Sequence, residues 1–228
     1  MFALPYLALS ALMLLAWHQV PGPTLAVFLL ASVWRFGTED AETGSGLEVI
    51  VRGGLPVAVP AMAHPEATAA VFRTVAGAPL TQLPDWLRAA AMAWLALAVV
   101  WAGHAALRGR GRRLAVPGLL AAMFALLPPL TAFAIYFVGV HAPAHTAALI
   151  RSRVRAPRVR DERSAILLAL PITALTLLIG AALWPLYGGA VPDRLLALTL
   201  QGLAALTLPH MLLEAGMARR ERRASLPA

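Results

Sequence analysis

The sequence predicts an all-α, polytopic membrane protein of about seven to eight transmembrane helices, several of them broken at proline or glycine. Three observations carry that prediction. The 228 residues are 60% apolar and 13% charged, with a mean hydropathy of +0.73, whereas soluble domains carry about 25% charged residues. Uncharged runs cover residues 1–34, 53–65, 89–107, 114–150, 164–192 and 195–213, and a helix needs about 20 residues to cross a bilayer. Finally, most of the arginines fall into three clusters, at 108–113, 151–163 and 219–223, each flanking such a run.

Taken in order, the opening 34 residues are too long for one crossing and contain Pro21, Gly22 and Pro23, so helices are expected near 3–17 and 24–37. No positive residue precedes the first apolar stretch, so it does not read as a signal peptide. Between Leu47 and His64 an apolar segment is interrupted by Arg52, Gly53, Gly54, Pro56 and Pro60, the pattern of a broken helix covered by protein or facing a cavity. Pro65 opens and Gly77 closes a short amphipathic helix. A crossing follows at 89–107. The 114–150 run would make a helix of roughly 55 Å, too long for a hydrocarbon core of about 30 Å, and Pro128–Pro129 divides it in two. Crossings at 164–186 and 194–215 complete a single helical domain over 1–215, followed by a basic tail over 216–228. This count places all three arginine clusters on one side, expected to be cytoplasmic.

Composition also excludes chemistry. There is no cysteine, hence no thiolate metal site or thiol nucleophile. All 19 basic residues are arginine, so no lysine exists to form a Schiff base, and a covalently held retinal is ruled out. The +8 charge lies in membrane-flanking clusters without interleaved stacking aromatics, which points to lipid and away from nucleic acid.

The sharpest constellation is Tyr136-Phe137-Val138-Gly139-Val140-His141-Ala142-Pro143-Ala144-His145. Histidines at i and i+4 share a helix face and can reach one metal ion, and Pro143 between them removes a backbone donor and opens the helix locally. The other reading is a helix end near the headgroups, since Arg151 follows closely. His18 and His104 read as interfacial, His64 as the end of a broken helix, and His210, beside Pro209 in an apolar run, as a ligand, a supporting residue or a structural one. Arg35 pairs with Glu39, and Glu48 with Arg52, at i,i+4 spacing. Glu214 falls at a membrane boundary.

Four segments in order resemble the Brp/Blh family of membrane-embedded beta-carotene 15,15'-dioxygenases: residues 28–40 through Trp34-Arg35-Phe36-Gly37-Thr38-Glu39-Asp40; Gly53-Gly54-Leu55-Pro56 to His64-Pro65-Glu66; the Tyr136–His145 stretch; and Leu206-Thr207-Leu208-Pro209-His210-Met211-Leu212. The resemblance implies a helical enzyme holding Fe(2+) through four histidines and using O2 to cleave beta-carotene centrally into retinal. It assigns His141 and His145 as metal ligands. His210, His64 and His18 become possible supporting or substitute ligands, as does Asp40, and Trp34, Phe36, Tyr136 and Phe137 become candidates for the substrate cavity. Arg35 stands where the family has an iron-binding histidine, and a guanidinium does not ligate metal. A further family ligand lies in a Pro-His-Gly segment upstream of the residues present here.

The expectation is thus a multi-pass plasma-membrane carotenoid oxygenase. A non-catalytic relative that binds carotenoid or retinal, or assists opsin maturation, is the alternative. A third reading, a small transporter or structural membrane protein, lacks the two similar halves such folds show.

Overall fold

The computed structural model describes residues 3–77, 82–151 and 156–224, and among these every regular element is helical. The helices are α1 (Ala3–Gln19), α2 (Pro21–Asp40), α3 (Gly46–Ala63), α4 (Pro65–Ala76), α5 (Asp85–Leu107), α6 (Ala115–Leu126), α7 (Pro129–Tyr136), α8 (Ala142–Arg151), α9 (Glu162–Leu183) and α10 (Val191–Ala224). Prolines punctuate them as expected: Pro21, Pro65 and Pro129 each stand at a helix start, where the missing N–H costs nothing. Gly77 closes α4 in the left-handed conformation, φ 61°, which favours glycine.

Among the described residues, four segments are long and apolar enough to cross a membrane: Gly46–Ala63, Asp85–Leu107, Pro129–Arg151 and Glu162–Leu186. The expected seven to eight crossings are not matched by this measure: α1 has 17 residues and α6 has 12, and α2 ends in Arg35, Glu39 and Asp40. α9 makes the membrane setting plain. None of its residues is buried in the molecule, and its outward surface includes Ile166, Leu170, Ile172 and Leu177. An apolar helix exposed all round is stable against lipid tails and untenable in water. α10 runs without interruption through the residues of the expected tail as far as Ala224, while Arg153 and Arg155 of the second arginine cluster, and residues 225–228, lie outside the described residues.

α3 is the helix around which the others pack. It lies against α2, α5, α6 and α4 and buries most of its length despite Pro56 and Pro60 within it. Glycines make the contacts close: a Cβ on Gly53 would collide with the Val33 carbonyl of α2, and one on Gly54 with the Trp94 ring of α5. Trp94 Nε1 donates to the Val51 carbonyl at 3.0 Å. Gly53→Ala is therefore expected to destabilise the fold by about 1–3 kcal/mol, the usual cost of overpacking, seen as a lower unfolding temperature in detergent; Gly111→Ala, at a site with open space, serves as the control.

Ionic contacts fasten one end of this bundle. Glu48, 1% exposed, accepts from the backbone N–H groups of Glu42 and Thr43 and from the Thr43 hydroxyl. Its expected partner Arg52 lies 2.9 Å away. Arg52 also meets Glu42 at 2.7 Å, and Glu42 meets Arg113 at 3.5 Å. The turn between α2 and α3 thus lies beside the first arginine cluster, at the end of the bundle where Asp40 is found.

Candidate functional site: a polar centre closing an apolar cavity

A cavity of about 430 Å³ lies between α2, α3, α4, α7–α8 and α10. Aromatic and aliphatic side chains form most of its wall, among them Phe28, Phe36, Phe133, Phe137, Val71 and Leu203. Arg35, His141, His145 and His210 add a polar face.

Besides His210 of α10, the polar face draws on two distant segments. α2 supplies Arg35 and Glu39 one turn apart, with Asp40 next to them. The chain from α7 to α8 supplies Tyr136, His141 and His145. Between these helices residues Phe137–His141 form a π-helical turn, in which the Ala142 N–H reaches back to the Phe137 carbonyl. Pro143, unable to donate, accounts for this widening, and such turns recur at functional sites. The sequence foretold an opening near the histidine pair; its form is a wide turn that aims His141 back toward α2.

Glu39 is where the segments meet. Its Oε1 lies 2.5 Å from Arg35 Nη2 and 2.9 Å from His145 Nδ1. Its Oε2 lies 3.0 Å from His141 Nε2 but is buried and makes no well-aligned hydrogen bond. On the far side of His141, Nδ1 stands 3.7 Å from Asp40 Oδ1, and Tyr136 donates its hydroxyl to Asp40 Oδ2 at 2.6 Å. Phe36 meets the His141 ring edge-on at 4.8 Å, and Phe137 leans on it at 5.6 Å. Ring packing of this kind fixes an imidazole's plane.

The sequence-derived candidates separate into groups. Phe36, Phe137, His141, His145 and His210 line the cavity. Trp34 does not: it is 61% exposed, on the outer face of α2 with Leu30, because one helical step from Arg35 rotates the side chain by about 100°. Tyr136 is fully buried and stands behind the cavity, holding Asp40. His64 caps α3, its Nε2 buried and without a hydrogen bond, away from the cavity wall. His18 lies in the last turn of α1, in a second depression with Arg73 and Asp193. Arg35 pairs with Glu39 as its spacing predicts, yet it lines the cavity. The residue that sequence reasoning missed is Glu39 as the common partner of both histidines, since its i,i+4 relation to Arg35 was its only local signal.

The donor set permits a test of the implied ferrous ion. Two imidazoles and a carboxylate are the ligand types of non-haem iron oxygenases, and Glu39 Oε2 is an unsatisfied buried oxygen. Against this, the same carboxylate carries the permanently charged guanidinium of Arg35. Among the described residues, no three His, Cys, Asp or Glu side chains are grouped to hold a metal. As placed, these residues do not fit a ferrous ion: a guanidinium supplies the positive charge of the centre.

Fold and site together define a helical membrane protein with an apolar cavity closed by a paired-histidine polar centre. The sequence profile of beta-carotene 15,15'-dioxygenase matches residues 1–218, and the chain belongs to that family. It is 27% identical over 217 residues to the beta-carotene 15,15'-dioxygenase of uncultured marine bacterium 66A03, covering 91% of this chain and 77% of the relative. It is 28% identical over 246 residues to the probable beta-carotene 15,15'-dioxygenase Blh of Halobacterium salinarum, covering 90% and 70%. No solved structure matches the chain.

Proposed function

We propose that this chain holds a polyene of the carotenoid class within the membrane, the hydrocarbon lying in the cavity and the Arg35–Glu39–His141–His145 centre closing one wall. The observation that carries this reading is the cavity itself, apolar and aromatic over most of its surface, with Arg35, His141, His145 and His210 opening onto it. Sites for apolar ligands have this form, with a few placed polar groups fixing orientation. A carotenoid dissolves in bilayer, so a cavity inside a helical membrane protein is where it is met. The relatives' names supply the substrate class independently.

Central cleavage with ferrous iron and O2 is the reaction those names describe. In this chain it requires Arg35 to release Glu39, so the reading proposed here is binding without iron-dependent turnover. The same proposal has the protein in the plasma membrane with its arginine-rich loops cytoplasmic, a reading supported by the positive-inside bias.

The cavity is tested by filling it. Leu203→Trp adds an indole to the wall, and purified from cells that accumulate beta-carotene it is expected to carry about tenfold less pigment than the unsubstituted chain, a loss near 1.4 kcal/mol in binding, with little change in unfolding temperature. Equal pigment in both proteins would move the binding site elsewhere.

A further inference from the structure

The second depression lies apart from the polyene cavity. It holds about 350 Å³ where α1 ends, α2 begins, α4 ends and α10 begins, with Trp17, His18, Arg73, Tyr187 and Asp193 in its wall. α10 divides the two spaces: Leu200 and Leu203 line the polyene cavity, Ala197 and Gln201 this one.

Its depth follows from α2. That helix starts at this recess with Pro21 and ends at Asp40, beside the first arginine cluster. Its 20 residues span about 30 Å, the thickness of a hydrocarbon core. The recess therefore sits at the level of the lipid headgroups, on the face away from Arg113. Trp17 and Tyr187 suit that level, where indole and phenol rings collect. Leu186 in the same wall is exposed, as are Val20 and Val191 at the adjoining helix ends, so apolar surface continues from the recess to where acyl chains lie.

The polar groups divide into those the fold uses and those left over. Tyr187 donates to Gln201 Oε1 at 2.7 Å, and Gln201 Nε2 donates to the Val75 carbonyl at 2.5 Å; this chain ties the α9–α10 connection to α4. Trp17 is 2% exposed, and its Nε1 is buried without a hydrogen bond, an uncommon state for a buried donor. Arg73 and Asp193 bring one full charge of each sign, and both are exposed. A simple anion would meet Asp193 and a simple cation Arg73. A ligand bearing both charges meets each with its opposite.

We propose that this recess binds the headgroup of a zwitterionic phospholipid with a primary ammonium, the chemical class of phosphatidylethanolamine. The phosphate faces Arg73, His18 and the Trp17 N–H, the ammonium faces Asp193, and the acyl chains run outward over Leu186. A guanidinium matches two phosphate oxygens at once. A primary ammonium carries three N–H donors for a carboxylate, which a trimethylated one lacks. The volume is at the lower part of the range for small-molecule sites, about 300–1,000 Å³, so it takes a headgroup and leaves the chains outside.

Native mass spectrometry of the full chain released from detergent counts bound lipid directly. Phosphatidylethanolamine is expected to occupy one site per chain about tenfold more tightly than phosphatidylglycerol or phosphatidylcholine of identical chains, the scale of one hydrogen bond to a charged group. Arg73→Gln is expected to weaken all three lipids. Asp193→Asn is expected to weaken the ethanolamine lipid about tenfold without weakening phosphatidylglycerol. Gly188→Trp fills the recess from a position with open space and leaves both charges in place; it is expected to abolish ethanolamine-lipid retention at an unchanged unfolding temperature. Arg88→Gln, at an exposed α5 position outside the recess, controls for lost surface charge.

Equal retention of the three lipids overturns the proposal, as does unchanged retention of the ethanolamine lipid in Arg73→Gln and Asp193→Asn, or a loss in Arg88→Gln as large as in Arg73→Gln. Phosphoethanolamine, the headgroup without its chains, is expected to compete poorly; displacement of the lipid at equal concentration would make the recess a site for a soluble ligand and also overturn it.

Discussion

Replacement of Arg35 by histidine is expected to raise the iron content of this protein. The substitution does two things at once. It removes the guanidinium that lies 2.5 Å from Glu39 Oε1, and it adds an imidazole one turn before that carboxylate on the same face of α2. Three imidazoles and a carboxylate then face one another across α2 and α8, a donor set suited to ferrous iron. After anaerobic loading with ferrous iron and desalting, elemental analysis is expected to find about one iron per Arg35→His chain, and far less in the unsubstituted chain. Arg35→Leu separates the two effects, since it frees Glu39 without adding a ligand. Loss of the metal from an Arg35→His/His141→Ala double variant would place the ion at this centre. Equal iron in the unsubstituted chain and in Arg35→His would show that Arg35 does not take the metal's place.

Glu39→Gln is expected to be the most damaging conservative change in the molecule. Among the described residues Glu39 is the one acid that touches Arg35, His141 and His145 together, and amidation removes the negative charge that these three groups share. Breaking one partner of a buried ion pair costs about 3–5 kcal/mol; Glu39 is partly open to the cavity, so a value of about 3 kcal/mol is expected. The Arg35→Leu/Glu39→Gln double variant should recover part of that loss, because residues in contact are not additive. Unfolding temperatures of the four proteins in one detergent measure this. A Glu39→Gln protein as stable as Glu66→Gln, a substitution at the start of α4, would mean that the centre does not hold α2 to α8.

Much of the architecture was legible because it follows from local rules. Hydrophobic run length against bilayer thickness marked out α5 and α9, and the prolines at 21, 65 and 128–129 marked the breaks, since a missing N–H acts wherever it falls. The i,i+4 pairs Arg35–Glu39 and Glu48–Arg52 were legible for the same reason. What escaped was long-range. Glu39 and His141 are about a hundred positions apart, and nothing in either segment shows that they meet. Trp34 was misplaced because neighbouring helix residues point about 100° apart, so proximity to Arg35 in sequence says nothing about sharing its face. The proline between the histidines announced a disturbance, but a kink and a π-turn look alike in one dimension, and only the second returns His141 to α2.

The central claim, that the cavity holds a polyene against a cation-bearing centre without iron, is tested most directly on the unsubstituted chain. Purified from cells supplied with both beta-carotene and retinal, it should carry close to one polyene per chain, judged by extraction and chromatography, with iron well below stoichiometric and no retinal formed from beta-carotene when that is the sole pigment supplied. A protein that emerges without pigment, or one that carries iron and converts beta-carotene to retinal, would contradict it.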